Sequence, residues 1–392
     1  MIETHAGATA GGDLSAVDVS VVLPCLDEAD SVARCVGEAL LALQGAGPGS
    51  EVIVVDNGST DGSPQLAAAA GARIVHEPKR GYGSALRAGF AEAKGDVVVM
   101  ADADLTYPLE RIPELVGPVG RGEADLVLGA RLGGATRESM PFLHRYVGTP
   151  VITWLTARAC GRRVVSDSQS GFRAFSRQKV IDLELRGSGM ELATEMLVRA
   201  ARAGYRIEEV DTGYRPRVGD SKLDTWRDGW RHLMLLLLLA PDLLLIGPGA
   251  ALFALGIAML VALFVTPEGL SIGSLEWQPV FLSGTALILG FQALLAGVVL
   301  AHGSSVTGSE VARRFRFVSH PAFRRRCFAT GAAMFGSGLL VNIVLLVLWR
   351  TGRPSGFSRY LGYASLAQSL IVVGGTLAMF SVVSHFRLRQ VS

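Results

Sequence analysis

Val97-Val98-Val99-Met100-Ala101-Asp102-Ala103-Asp104 is the stretch whose reading decides the fold. An unbroken apolar run, Val97 to Ala101, reads as a strand buried on both faces, the pattern of a parallel sheet. Such a strand delivers Asp102 and Asp104 to the carboxyl end of the sheet, where open α/β folds bind ligands. Two carboxylates two residues apart, with Thr106 just beyond, suit a hard divalent cation holding a phosphate-bearing substrate. Oxygen-only ligation fits Mg2+ or Mn2+.

Similar short apolar runs lie on either side. Val19–Leu23, Glu51–Asp56, Ala72–His76, Asp96–Ala101 and Asp125–Gly129 read as strands. Glu28–Leu43, Ser63–Ala70, Tyr82–Lys94 and Leu109–Arg121 read as helices between them. Strands alternating with helices of this length predict βαβ units and a mostly parallel α/β sheet with flanking helices, extending to about Val210. Right-handed crossovers place the strand ends on one edge, so Asp56, Asp102 and Arg131 converge there. On this reading Arg131 ends a strand lying beside that of Asp102.

Composition separates the second half of the chain from the first. Of 392 residues, 49% are hydrophobic and only 18% charged, and the mean hydropathy is +0.37. That balance is too apolar for an ordinary soluble enzyme. Leu233–Val265 is nearly all apolar, too long for one span, and broken by Pro241-Asp242. We read residues 1–17 as a flexible N-terminus, 18–226 as a catalytic domain and 227–242 as an interfacial helix. Four spans then follow, at about 243–265, 279–301, 329–349 and 363–383, each near the ~20 residues a bilayer core requires.

None of the four span cores contains Asp, Glu, Lys or Arg, so they lack the intramembrane charges that mark an ion pathway. His302–Phe328 carries Arg313, Arg314, Arg316, Arg324, Arg325 and Arg326, whereas Thr266–Gln278 carries no Lys or Arg. The positive-inside rule makes the basic loop cytoplasmic, together with residues 1–226 and the tail bearing Arg387 and Arg389. The three arginines of Arg350–Leu361 weaken this asymmetry without reversing it. Met1–Ala16 has no apolar core and does not read as a signal peptide. A net charge of +2 does not call for nucleic acid, and the four cysteines lack metal-binding spacing and read as reduced or buried thiols. Homo-oligomerisation is compatible with the sequence.

Other motifs cluster at the predicted strand ends. Pro24-Cys25-Leu26-Asp27-Glu28 follows the first strand and Asp56-Asn57-Gly58-Ser59-Thr60-Asp61-Gly62 ends the second. Each could hold a base or ribose through its carboxylates, or simply cap the following helix, as Ser59-Thr60-Asp61 is suited to do. Arg80-Gly81-Tyr82-Gly83 fails the dinucleotide fingerprint because Leu86 stands where the third glycine belongs. It reads as a loop shaped for close backbone approach to a substrate, with Arg80 either near a phosphate or solvated. Arg145 and Thr149 share a helix face if Pro141–Leu155 is helical, in a mostly apolar stretch suited to a membrane interface.

This ordered set resembles the GT-A nucleotide-sugar glycosyltransferases of family 2, in particular the polyprenyl-phosphate, dolichol-phosphate mannose synthase-like branch. The resemblance covers residues 18–226. It rests on the two acidic turns, Arg80-Gly81-Tyr82-Gly83-Ser84-Ala85, Asp102-Ala103-Asp104-Leu105, Gly129-Ala130-Arg131, Ser170-Gly171-Phe172-Arg173 and Gly219-Asp220-Ser221-Lys222. It implies a Rossmann-like GT-A domain that binds a UDP- or GDP-linked sugar through Pro24, Leu26, Glu28, Asp56, Asp102 and Arg173. It implies Asp102 and Asp104 as metal ligands, with Thr106 standing where some relatives carry a third. It implies Arg131, Arg145, Thr149 and Lys222 around the phosphate of a polyprenyl acceptor, and Asp104 and Arg131 as the residues closest to the chemistry. Glu195 could act as a base by analogy with sugar-acceptor relatives, although a structural role on a helix suits it better.

The reaction so implied is inverting transfer of the sugar to polyprenyl phosphate at the cytoplasmic face of the plasma membrane, for cell-envelope glycan or glycoprotein synthesis. One rival is a membrane glycosyltransferase with another lipid or glycan acceptor. The Gln-x-x-Arg-Trp run of processive synthases is absent. A second rival is a non-catalytic membrane scaffold or transporter, against which the intact Asp-x-Asp pair argues.

Overall fold

The structure is a computed structural model that describes residues 17–131, 149–160, 165–218, 230–231, 233–237, 240–266, 270–272, 275–277, 280–303, 316–351 and 357–389. The chain divides into two compact units, Met1–Leu236 and Leu237–Ser392.

In the first unit, β1 (Val19–Cys25), α1 (Val32–Ala42), β2 (Glu51–Asp56), α2 (Ser63–Ala69), β3 (Arg73–His76), α3 (Tyr82–Glu92) and β4 (Val97–Met100) alternate as the sequence predicts. A short 3-10 turn, Leu109–Arg111, leads into α4 (Ile112–Gly120). Then come β5 (Leu126–Ala130), α5 (Thr149–Ala159), β6 (Arg173–Ser176), α6 (Arg177–Asp182), α7 (Glu191–Arg202) and β7 (Ile207–Asp211). The sheet order is β3-β2-β1-β4-β6-β5-β7. All four residues of β4 are buried, and Val19, Val21, Leu23, Val52, Val54, Val97 and Val99 fill one face of the sheet against α1. The other face packs Val22, Ile53, Val55, Val98 and Met100 against Leu86 and Phe90 of α3 and Leu192 and Met196 of α7.

Two departures from the sequence reading shape the carboxyl edge of the sheet. First, β1 runs on through Pro24 to Cys25, with Pro24 opposite Val55 of β2. Pairing of β1 with β4 stops at Val22, so beyond it one side of β1 is an edge, and a proline without an N–H is tolerated there. Second, β5 does not lie beside β4. The short strand β6 is inserted between them and runs antiparallel to both, with Arg173 opposite Met100 and Leu128. Its reversed direction brings its N-terminal end, Ser170-Gly171-Phe172, to the edge where β4 and β5 end.

Among its described residues the second unit has four long helices: α8 (Gly247–Val265), α9 (Val280–Gly303), α10 (Pro321–Arg350) and α11 (Phe357–Arg389). Each is long and apolar enough to cross a membrane. A π-helical turn, Asp242–Ile246, precedes α8. Pro248 lacks the N–H that would close an α turn on Leu244, and a wider turn at this point accommodates that loss. Small residues bring the helices together. A Cβ on Gly256 would stand 2.5 Å from the Leu287 backbone nitrogen, and one on Gly331 2.6 Å from the Gly374 oxygen. Ser283 and Ser365 meet at 3.1 Å and join α9 to α11.

Candidate active site

The two acidic turns at the ends of β1 and β2 are stitched into one body. Asp27 donates its backbone N–H to Ser59 Oγ (3.0 Å), Glu28 to Ser63 Oγ (2.8 Å) and Ala29 to Asp61 Oδ2 (2.9 Å). In return Thr60 donates its N–H to Asp27 Oδ1 (2.7 Å). Asp61, not Ser59 or Thr60, accepts from the first turn of α2, through the N–H of Ser63 (3.0 Å). Asn57 extends the network. Its side chain donates to the oxygens of Glu77 and Lys79 and accepts from Gly81 N–H at 2.7 Å. Leu26 and Glu28 border this turn and are half-buried. Asp56 accepts from Ser59 N–H at 2.8 Å and lies 3.2 Å from His76 Nδ1. Burial acts to raise its pKa, but the hydrogen bonds from Ser59 and His76 outweigh it and hold the carboxyl below its ordinary value.

Beyond β4 the backbone turns through Leu105, which has φ +64°. A leucine tolerates this left-handed conformation because its side chain is buried in the core below, which fixes the turn. Asp102 Oδ1 accepts from the Tyr82 hydroxyl at 2.7 Å. Asp104 Oδ1 accepts from both the N–H (3.1 Å) and the hydroxyl (2.6 Å) of Thr106. Thr106 is therefore a clamp on Asp104, its hydroxyl proton committed to that carboxylate. Burial first, and then the like charge of Asp104, push the Asp102 pKa up to about 7, while Arg131 and Arg217 act in the opposite direction.

Two carboxylates crowded in this way favour a shared cation. Each retains an Oδ2 beyond the hydrogen bonds to Tyr82 and Thr106. Among the described residues no three His, Cys, Asp or Glu side chains form a complete metal cage. The donor set fits Mg2+ or Mn2+ bound by two carboxylates, with waters and substrate oxygens at the other positions.

Arg131 and Arg173 are both held by the protein in ways the sequence does not show. Arg131 follows β5, one strand further from β4 than the sequence suggests. Its Nε and Nη2 are held by Asp167 at 2.7 and 2.9 Å, and its guanidinium lies 5.4 Å from the Tyr214 ring centroid. Arg173, expected at the donor, is turned onto the chain's own backbone. It is 0% exposed, and donates to the backbone oxygens of Ser170 (2.8 Å), Ala193 (2.6 Å) and Ser168 (3.0 Å). Burial lowers its pKa to about 10. It is a brace beneath the site. Thr149 begins α5, whereas Arg145 and Lys222 lie outside the described residues.

The glycines of Arg80-Gly81-Tyr82-Gly83 serve the chain's own packing. A Cβ on Gly81 (φ +134°) would meet the Ser188 oxygen at 2.1 Å, and one on Gly83 the Gly187 oxygen at 2.6 Å. Glu195 holds that facing segment by accepting from Gly187 N–H (2.7 Å) and Arg199 Nε (2.8 Å), which is the structural role expected of it.

Sequence reasoning missed Arg217. The segment after β7 crosses the turn beyond β4, with Arg215 N–H donating to Thr106 O (2.8 Å) and Val218 N–H to Asp104 O (3.2 Å). Arg217 thereby reaches two acids at once: Nη2 lies 2.6 Å from Glu28 Oε1 and Nη1 3.1 Å from Asp104 Oδ2. Its only sequence signal was its place just before Gly219-Asp220-Ser221-Lys222.

A mostly parallel sheet carrying an Asp-x-Asp turn at its carboxyl edge, followed by membrane-length helices, defines a membrane-associated GT-A type transferase. The profile described as glycosyl transferase family 2 matches residues 20–183. The chain is 33% identical to the low-salt glycan biosynthesis hexosyltransferase of Haloferax volcanii, over 92% of this chain and 87% of that protein. It therefore belongs to glycosyl transferase family 2. It is also 34% identical to the dolichyl-phosphate hexose transferase of the same organism, over 54% of this chain and 89% of that one. Among solved structures it is similar to Mycobacterium tuberculosis glucosyl-3-phosphoglycerate synthase in complex with Mg2+ and uridine diphosphate. That match has 27% identity and a TM-score of 0.48, covering 60% of this chain and 83% of the other.

Proposed function

We propose that this glycosyltransferase transfers a sugar from a UDP- or GDP-linked donor to polyprenyl phosphate, with inversion and with Mg2+ or Mn2+. The reaction takes place at the cytoplasmic face of the plasma membrane and supplies cell-envelope glycan or glycoprotein synthesis. The observation that carries this reading is the Asp102–Asp104 pair, each with its Oδ1 fixed by a neighbouring hydroxyl and Asp104 Oδ2 already drawing a cationic guanidinium, in a chain with four membrane-length helices. The names of the two Haloferax relatives support the hexosyl and lipid-phosphate parts of it.

Asp102 and Asp104 would hold the metal, whose charge would offset that of the departing diphosphate. Glu28 and Asp56, set on the stitched loops, orient the nucleoside with Pro24 and Leu26. Arg131, braced by Asp167 and Tyr214, offers its remaining guanidinium nitrogen to the acceptor phosphate, with Arg145, Thr149 and Lys222 as further acceptor contacts. A phosphate monoester is already anionic near neutral pH, so its oxygen attacks the anomeric carbon as the carbon–oxygen bond to the diphosphate breaks, without a strong general base. The protein's work is to align two anions and offset their repulsion.

The test is transfer from labelled nucleotide sugars into an organic-extractable product, using purified full-length protein and polyprenyl phosphate. Chelation or Asp104→Ala is expected to lower turnover at least about 100-fold. Unchanged turnover after both treatments overturns the metal assignment, and label found only in aqueous glycan overturns the acceptor.

A further inference from the structure

We infer that Arg217 is a displaceable cation, filling the charge deficit of the metal site before the donor arrives and then passing to the donor's diphosphate. The inference rests on the reading of Asp102 and Asp104 as metal ligands, and concerns a residue outside that reading.

Three facts carry it. Asp104 Oδ1 is committed to Thr106, so Oδ2 is the oxygen left for a metal, and Oδ2 is the atom Arg217 holds at 3.1 Å. The same guanidinium holds Glu28 at 2.6 Å, so one residue joins the end of β1 to the turn after β4, where nucleoside and metal are proposed to bind. Finally, Arg217 Nε is buried and has no hydrogen-bond partner among the described residues. Native proteins rarely leave such a donor unsatisfied, and those that do often keep it for a ligand.

The charges agree with a temporary occupant. Glu28, Asp102 and Asp104 together carry three negative charges when ionised, and one arginine offsets only part of that. A divalent ion with oxygen ligands at about 2.0–2.1 Å binds more closely than a guanidinium can, and competes for the same carboxylate oxygen. The donor brings anionic oxygens that the freed Nη1 and the unpaired Nε can bind. Metal and nucleotide are thereby coupled: metal releases the arginine, and the diphosphate gives it a new partner.

Mn2+ binding to the full-length protein, without nucleotide, tests this through the electron paramagnetic resonance signal of free Mn2+. Arg217→Gln is expected to bind Mn2+ about tenfold more tightly than the wild type, a factor equal to about 1.4 kcal/mol. It is also expected to bind the nucleoside diphosphate UDP or GDP, whichever the wild type accepts, about tenfold more weakly. Unchanged or weakened Mn2+ binding in Arg217→Gln overturns the inference. Asp104→Asn separates the two readings. If it binds Mn2+ like the wild type, the metal assignment itself fails; if it loses Mn2+ while Arg217→Gln shows no gain, only the displaceable cation fails. Should Arg217→Gln not fold, Arg217→Lys serves, because it keeps the charge but lacks the planar fork that gives each acid its own nitrogen. A gain of a few fold in Mn2+ affinity supports the inference, and no gain overturns it.

Discussion

Thr106 and Arg173 show how residues of similar sequence prominence divide into positioning and bracing roles. Thr106 gives Asp104 two hydrogen bonds. Replacing its hydroxyl in Thr106→Val removes one charge-assisted bond, and turnover is expected to fall about tenfold with little change in melting temperature, as steady-state kinetics and thermal unfolding will show. Arg173 satisfies three backbone oxygens in a fully buried place. Arg173→Lys keeps the charge but not the fork that reaches all three. It is expected to lose about 3 kcal/mol of stability in thermal unfolding while the folded fraction still binds nucleotide. The acids of the site were legible because each sits within a few residues of the strand that presents it. The surroundings of the two arginines were not, since Arg173 lies on a four-residue strand and Arg217 reaches Asp104 from a segment after β7. Neither place leaves a local pattern.

At the scale of the element, hydrophobic runs and turn residues located β1 to β5 and α1 to α4 almost as they stand. Of the elements the sequence reading left out, β6 bears most on the site: it is Arg-Ala-Phe-Ser, which has no apolar run and begins with a charge. Only its two neighbours make it a strand. The glycines before and within α3 were legible as a site of close approach but not as to what approaches. Gly83→Ala places a methyl 2.6 Å from the Gly187 oxygen, so thermal unfolding should show a loss of about 1–3 kcal/mol. Asp125, just before β5, binds Lys179 as well as Arg206 Nη2 at 2.8 Å. Hydrogen bonding from Arg206 holds its carboxyl well below the usual carboxylate range, with burial opposing and Lys179 assisting. Because the folded pKa is depressed, this stabilisation is complete above the ordinary value of about 4 and fades as pH falls toward the depressed one. The stability gap between wild type and Asp125→Asn is therefore expected to be full at pH 7 and to close on acidification below about pH 4.

For the whole molecule, apolar length and charge located four membrane-length helices, but not their ends. The helix α10 begins at Pro321, ahead of Arg324, Arg325 and Arg326, and α11 extends to Arg389. Hydropathy marks the part of a helix suited to lipid, whereas the backbone continues past it wherever polar residues still favour helix. The charge asymmetry of the loops makes a topological prediction. A cysteine replacing Ser274 should be labelled by a membrane-impermeant thiol reagent in intact cells, and one replacing Ser309 only in inverted vesicles. The reverse labelling would place the proposed cytoplasmic loop outside.

The stitched loops after β1 and β2 bear on engineering. Asp27, Glu28 and Ala29 are tied to Ser59, Thr60, Asp61 and Ser63 through side chains that each satisfy a backbone group of the other loop. Exchanging Asp27, Ser59, Asp61 or Ser63 alone removes a bond from a backbone N–H of the other loop. If these loops hold the nucleoside as proposed, redirecting the enzyme to another nucleotide calls for transplanting residues 25–31 and 57–63 together, as one cassette cut from two places in the chain.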